Sequence, residues 1–167
     1  MKQVNSVCNV DEKSVTTGNA YVEQLKAAVA SENAQVIIIS AAIEADIAQL
    51  ESEEDRAVFL ADMGLTESGL NKLTRAAYSL LDLYTYFTAG VQEVRAWTIT
   101  KGMKAPQAAG VIHSDFERGF IRAEVIGYDD YIKYKTEAAC REAGRLRLEG
   151  KEYIVQDGDV MHFRFNV

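Results

Sequence analysis

Apolar and polar positions change rhythm near the middle of the chain. In the first half, Val4–Val10 has strand length and runs out into the polar turn Asn9-Val10-Asp11-Glu12. From Gly18 to Ser31 the residues Tyr21, Val22, Leu25, Ala28 and Val29 recur at helical spacing. Gln35-Val36-Ile37-Ile38-Ile39-Ser40 is a β-branched run, apolar on both faces, as strands of covered parallel sheets are. Strand, helix and strand in that order predict a right-handed βαβ unit. One such unit reads as the edge of a larger sheet, with its apolar run exposed on at least one side. Ala41–Met63 is predicted helical, with a break and a fresh start at Glu51-Ser52-Glu53-Glu54-Asp55. Acids there suit the positive end of a helix dipole, although the same run also reads as a solvated face. Gly64 is a helix stop, and Thr66-Glu67-Ser68-Gly69 opens a helix through Leu70, Leu73, Ala77 and Leu80.

From Thr85 the period shortens. Thr85–Thr88 and Glu93–Ile99 are predicted to pair around Ala89-Gly90. Pro106 suits the first turn of a helix ending near His113. Gly119–Ile126 alternates apolar and polar, with Glu124 read as an ordinary surface charge. Tyr128–Gly144 reads as helical with a break. Lys151–Val155 and Asp159–Val167 flank Gln156-Asp157-Gly158-Asp159, a hairpin signal because Asp-Gly tolerates positive φ. Four or five strands around one helix predict a small α+β domain of β-grasp size. Tyr84, Tyr86, Phe87 and Trp97 read as its core rather than as a platform for stacking bases.

Charge sharpens the division. Residues 1–81 carry 6 Lys+Arg against 12 Asp+Glu, whereas residues 82–167 carry 12 against 13. Two units, 1–81 and 82–167, are therefore expected. The net charge of −7 argues against a generic nucleic-acid-coating protein. No apolar run approaches the 18 residues of a membrane span, and the N-terminus lacks the apolar core of a signal peptide. Cys8 and Cys140 have no pairing pattern and suit reduced thiols.

Few residues offer chemistry. A G-x-x-x-x-G-K-[ST] phosphate loop is not found; Gly150-Lys151 is followed by Glu152, without a hydroxyl for Mg²⁺. No catalytic constellation can be assembled, and neither His113 and His162 nor the two cysteines make a metal pattern. The turn after the first strand says more. In GTP-binding folds the corresponding turn is N-K-x-D, whose Asp accepts two hydrogen bonds from guanine. Here Asn9-Val10-Asp11-Glu12 offers an acid one methylene longer and no Lys. That spelling weakens guanine preference and leaves Asn9 to meet the N6/N7 edge of adenine. After the next strand stands Ser40-Ala41-Ala42, in the place of an S-A-x companion motif whose backbone amides reach a purine. Either motif alone also reads as a strand-end cap; two at the ends of strands in one βαβ unit carry more weight.

Longer stretches are more specific still: Tyr86-Phe87-Thr88-Ala89-Gly90, Glu93-Val94-Arg95-Ala96-Trp97-Thr98-Ile99, the run from Lys104 to Glu124, and Asp157-Gly158-Asp159-Val160 through Val167. In these the chain resembles the C-terminal part of the Obg-like ATPases, P-loop NTPases of the YchF type. The resemblance implies an α/β remnant of a P-loop NTPase domain over 1–81. It implies a TGS domain, a β-grasp module shared with threonyl-tRNA synthetases and stringent-response enzymes, over 82–167. It implies that Asn9, Val10 and Glu12, with Ser40, Ala41 and Ala42, form the base-recognition motifs for ATP over GTP. Mg²⁺, the P-loop, the switch region and a coiled coil belong to sequence upstream in full-length members, so the chain reads as a fragment inactive in hydrolysis by itself. The implied partners are the ribosome or structured RNA, and regulatory proteins, in the cytoplasm, without DNA specificity or a membrane. Arg118, Arg122, Arg145, Arg147 and Lys151 are the residues expected to meet RNA, some of them on one face with the Gly119–Ile126 strand. The rival expectation is a regulatory protein-interaction domain that binds neither RNA nor nucleotide.

Overall fold

A computed structural model describes residues 4–32, 34–90 and 93–166. The chain divides into two units, Met1–Leu81 and Asp82–Val167.

In the first unit, β1 (Asn5–Asn9) pairs in parallel with β2 (Gln35–Ile39), from Asn5↔Gln35 to Asn9↔Ile39. The crossover between them is α1 (Ala20–Val29), which starts where the Asn19 side chain accepts hydrogen bonds from the Tyr21 and Val22 amides at 3.0 and 3.1 Å. An Asn at this position satisfies amides that have no partner within the helix. Beyond β2 come α2 (Ala41–Gln49), α3 (Glu53–Asp62) and α4 (Gly69–Leu80). The acidic run does break and restart the helix: Ser52 Oγ accepts from the Asp55 amide at 3.0 Å, and Glu53, Glu54 and Asp55 occupy the first turn of α3. Two groups cap α4. Ser68 Oγ takes the Asn71 amide at 3.1 Å, and the Glu44 carboxylate, from α2, takes the Gly69 and Leu70 amides at 2.6 and 3.2 Å. Gly69 is required for close approach, since a Cβ there would lie 2.7 Å from Cγ2 of Ile39. Val15, Ile43 and Leu65 form a small buried cluster. Within the apolar run Ile37 is buried, whereas Val36, Ile38 and Ile39 stay partly exposed.

The second unit is one five-stranded sheet in the order β4-β3-β7-β5-β6. Its strands are β3 (Leu83–Ala89), β4 (Val94–Thr100), β5 (Phe120–Ile126), β6 (Arg147–Glu149) and β7 (Val160–Phe165). The central pair, β3 and β7, is parallel; the other pairs are antiparallel. Four helices accompany the sheet rather than one: α5 (Ala105–Ile112), α6 (Ser114–Arg118), α7 (Tyr128–Tyr134) and α8 (Glu137–Glu142). Pro106 stands in the first turn of α5. The core joins Tyr86, Ile99, Ala108, Val125, Met161 and Phe163 with their neighbours, and Tyr84 and Trp97 pack against it. The Tyr86 hydroxyl donates to the Ala108 carbonyl at 2.9 Å, so the buried phenol is satisfied.

Two expectations need correcting here. Gln156–Asp159 is not a hairpin turn between two paired strands. Residues 151–155 contribute only an isolated bridge, Lys104↔Ile154, and β7 pairs with β5 and β3 instead. The physical reason lies in Asp159, which is 3% exposed. Its Oδ2 accepts from the Tyr153 hydroxyl at 2.6 Å and the Gln156 amide at 2.9 Å, folding the segment onto itself. Glu124, in turn, is buried and not an ordinary surface charge. The register shifts between Phe120 and Arg122, and beyond it both faces of β5 are covered. Arg164 reaches the Glu124 carboxylate at 3.1 Å and Arg141 reaches it at 3.8 Å.

Candidate functional site

The parallel pairing of β1 and β2 ends both strands at the same level. Val10 extends it by donating its amide to the Ile39 carbonyl at 2.9 Å. Residues 9–12 and 40–42 therefore emerge side by side, at the carboxyl ends of parallel strands, where ligands of open α/β sheets bind. One bond ties the two segments: Asn9 Oδ1 accepts from the Ala41 amide at 3.0 Å. Around it lies an open pocket of about 580 Å³ lined by Asn9, Val10, Asp11, Glu12, Lys13, Ser40 and Ala42. Its size falls within the range of small-molecule sites.

Each group has a distinct place. Asp11 Oδ1 accepts from the Ser14 amide at 3.0 Å and caps the 3-10 turn Glu12–Ser14, so this acid holds the loop. Glu12 is exposed at the pocket. Ser40 is 1% exposed, and among the described residues its Oγ has no hydrogen-bond partner. It stands at the N-cap of α2, yet its side chain makes no capping bond. Ala41 is not among the lining residues; its amide is held by Asn9. The same bond occupies the Asn9 carbonyl and leaves the Asn9 amide nitrogen to donate. Lys13 went unremarked in the sequence reading; its place next to Glu12 was the available signal.

Each of the five basic residues has its own surroundings. Arg122 is exposed and faces Arg164 across β5 and β7. Arg147 is in register with Val125, on the opposite face of that sheet. Its guanidinium reaches the Tyr153 hydroxyl at 3.1 Å, Asp159 at 3.4 Å and Glu149 at 3.5 Å. Burial and the hydrogen bond to Asp159 push the Tyr153 phenol up to about 12. Arg118 lies 3.8 Å from Asp115, Arg145 lies 3.7 Å from Asp130, and Lys151 is exposed beyond β6. Arg122 and Arg147 therefore present on opposite faces of the sheet, as β-strand alternation requires of positions an odd number of residues apart. Cys140 is fully buried, and burial, with Asp130 and Glu137 nearby, pushes its thiol up. Among the described residues no group of three or more His, Cys, Asp or Glu is placed to hold a metal ion. Among them, too, no helix is long and apolar enough to cross a membrane.

Residues 83–166, almost the whole second unit, match the family model YchF-GTPase_C, "Protein of unknown function (DUF933)". The chain belongs to this YchF-GTPase C-terminal family. Curated YchF relatives align with the first unit too. The chain is 58% identical over 168 residues to "Ribosome-binding ATPase YchF" of Bacillus subtilis, covering 99% of this chain and 46% of that protein. Identity is 54% over 167 residues to the protein of the same name in Escherichia coli O157:H7, again 46% of its length. The chain thus spans about half the length of the curated relatives it matches. Among solved structures, the Schizosaccharomyces pombe YchF GTPase superposes with a TM-score of 0.82 at 39% identity, covering 97% of this chain and 43% of that one. A GTP-binding protein from Pyrococcus horikoshii OT3, 17% identical with a TM-score of 0.62 over 97% of this chain and 45% of that one, shares the fold. The mixed α/β architecture is therefore that of the YchF neighbours.

Proposed function

We propose that residues 1–81 carry the base-reading end of a purine-nucleotide-binding P-loop NTPase domain that favours ATP over GTP. Residues 82–167 form a β-grasp module of the TGS type that meets the ribosome. The observation that carries the first part is the Asn9–Ala41 hydrogen bond, which joins the two strand-end segments into one pocket. The pocket's donor set fits a purine. The free amide nitrogen of Asn9 can donate to N7, an acceptor that adenine and guanine share. Asn9 is therefore a purine reader, and the choice between purines falls to Glu12 and to the amides around Ala42. The Lys13 stem offers an apolar surface for the face of the base. Ser40 Oγ, buried without a partner among the described residues, is left to hold the Glu12 carboxylate once a base draws it in. The second part is supported by the strand order β4-β3-β7-β5-β6 with a parallel central pair, and by the name "Ribosome-binding ATPase" of relatives 54 to 58% identical.

The test is base preference. The chain should bind adenosine more tightly than guanosine in calorimetric titration. Glu12→Asp restores the shorter acid and should move the ratio toward guanosine by roughly tenfold or more, the scale of one bidentate base contact. Binding of neither nucleoside, or a ratio indifferent to Glu12→Asp, overturns the reading.

A further inference from the structure

In the second unit the central strands part company. Among the described residues β7 pairs with β3 at one register, Phe87↔Val160, while its pairing with β5 runs on to Phe120↔Phe165. The β3 strand leaves at Ala89, and Gly90 turns the chain with its amide on the Glu93 carbonyl at 2.9 Å. Among the described residues, the lane beside the second half of β7 is thereby left without a partner strand. Two hydrogen bonds fix which backbone groups face it. The Asp159 carbonyl accepts from the Phe87 amide at 2.8 Å, so it points toward β3, and the Asn166 amide donates to Gly119 at 2.9 Å, away from β3. Alternation along a strand then aims the amides and carbonyls of Phe163 and Phe165 into the vacated lane.

That lane is a cleft of about 540 Å³ with an apolar floor. Ile112 and Phe116 line it together with Phe163 and Phe165, and the Phe116 and Phe165 rings stack with centroids 3.9 Å apart. Its rim carries one carboxylate, Glu93, beside His162, and no Lys or Arg is among the described lining residues. Arg95, across from Thr88 in the β3–β4 register, is drawn over the Trp97 ring at 4.1 Å instead.

We propose that this cleft docks an extended, cationic peptide segment of a partner protein, which adds to β7 as a short parallel or antiparallel strand in the lane that β3 leaves. Three features specify the occupant. The amides and carbonyls of Phe163 and Phe165 call for a backbone with its own ladder of donors and acceptors. The aromatic floor takes alternate apolar side chains, the spacing a strand supplies. The Glu93 carboxylate, with no Lys or Arg among the described lining residues, favours a cation and opposes a phosphate backbone. The three residues Phe163–Phe165 of β7 limit the paired stretch to about 10 Å at roughly 3.3 Å per residue. The inference holds whether or not the first unit binds a purine.

The experiment uses the full chain, labelled with ¹⁵N, and a library of blocked hexapeptides alternating Lys or Arg with Val, Ile or Phe. The expected result is that the library shifts the amide resonances of Phe163 and Phe165 more than those of β4 or β6. The tightest member should lose at least tenfold in affinity when the amides on its β7-facing edge are N-methylated. Glu93→Lys, an exposed change that leaves the core alone, should weaken binding about threefold or more. Oligoadenylate and oligouridylate serve as the rival ligands. Silent Phe163 and Phe165 amides, equal binding of the N-methylated peptide, indifference to Glu93→Lys, or stronger shifts of these amides by either RNA would each overturn the proposal.

Discussion

The two units hold themselves together in different ways. The second is built on a continuous apolar core in which Tyr86, Phe120 and Phe163 meet edge to face, with centroids 5.8 and 6.2 Å apart. Among its described residues the first has two strands and a small apolar cluster, and long-range side-chain hydrogen bonds do much of the joining. Asn9 reaches Ala41, 32 residues away, and Glu44 reaches Gly69, 25 residues away. Burying a large apolar side chain contributes about 1.5–3 kcal/mol, whereas one intramolecular hydrogen bond contributes a net of about 0.5–1.5 kcal/mol. The difference teaches where each unit can yield. In the unit with the pocket the Asn9–Ala41 link stands at the site itself, so stability and binding geometry share that bond. In the sheet unit Phe163 serves both, packed in the core and flooring the cleft, while the docking edge itself is the β7 backbone.

The largest expected effect tests that contrast through the sheet. Phe163 is 7% exposed and touches both other aromatic rings of the core. Phe163→Ala should cost about 3–5 kcal/mol. In hydrogen exchange the wild-type chain should open faster over residues 4–50 than over β3, β5 and β7. Phe163→Ala should erase the gap by lowering protection in the second unit alone. Equal protection of the two units in the wild-type monomer would break the comparison at its root.

A smaller effect probes the polar knot that tightens the sheet unit. Tyr153 donates to Asp159 at 2.6 Å and accepts from Arg147 at 3.1 Å. Its phenol titrates at about 12 in the fold, against an ordinary 10.0. The folded state thus favours the protonated form. This contribution to stability is complete below pH 10 and is lost as the pH rises toward 12. Tyr153→Phe should remove the loss over this window, and leaving the buried Asp159 carboxylate one donor short should cost about 1–3 kcal/mol at neutral pH. Tyr86, raised further by burial, keeps its own loss at higher pH. Denaturant midpoints at pH 8, 10 and 11.5 for the two proteins decide the matter; parallel curves would show that Tyr153 does not sense its surroundings as described.

The third effect lies in the other unit. Asn9→Ala removes the link to Ala41 and should destabilise the first unit by about 1 kcal/mol. It should also abolish detectable nucleoside binding, since residues 9–12 and 40–42 lose their common registration. Unchanged affinity would mean that strand pairing alone sets the pocket.

How much of this was legible depends on whether the physics is periodic. Helix and strand positions in the first unit follow from apolar spacing, and the pocket was readable because each of its motifs is a contiguous stretch at a strand end. Residues 147, 153 and 159 were not readable as a knot, because their meeting depends on a turn with no period, and the Asp-Gly pair resembles a hairpin. Glu124 misled for a related reason: the irregularity between Phe120 and Arg122 moves the polar positions of β5 relative to their neighbours. Arg122 and Arg147 share a sign but not a face, since composition records charge without direction. The cleft beside β7 leaves no trace in the sequence, because it is made by one strand ending before its partner.

The smallest effect on stability belongs to Ser40, and it is the most discriminating. A serine at the first position of a helix ordinarily accepts an amide hydrogen bond, and replacing it by Ala then costs about 1 kcal/mol. Ser40 makes no such bond. It is 1% exposed, and among the described residues its hydroxyl has no partner. A buried hydroxyl without a partner is itself a cost, on the order of 1–3 kcal/mol. Ser40→Ala should therefore leave the thermal midpoint unchanged or raise it slightly. If the hydroxyl is kept to hold the Glu12 carboxylate against a base, the same change should weaken adenosine binding severalfold, by about one hydrogen bond to a charged group. The effect should shrink when Glu12→Gln is already present, because the two groups act as a pair. A lower thermal midpoint with undiminished affinity would make Ser40 an ordinary cap, and would return the choice between purines to the backbone amides near Ala42.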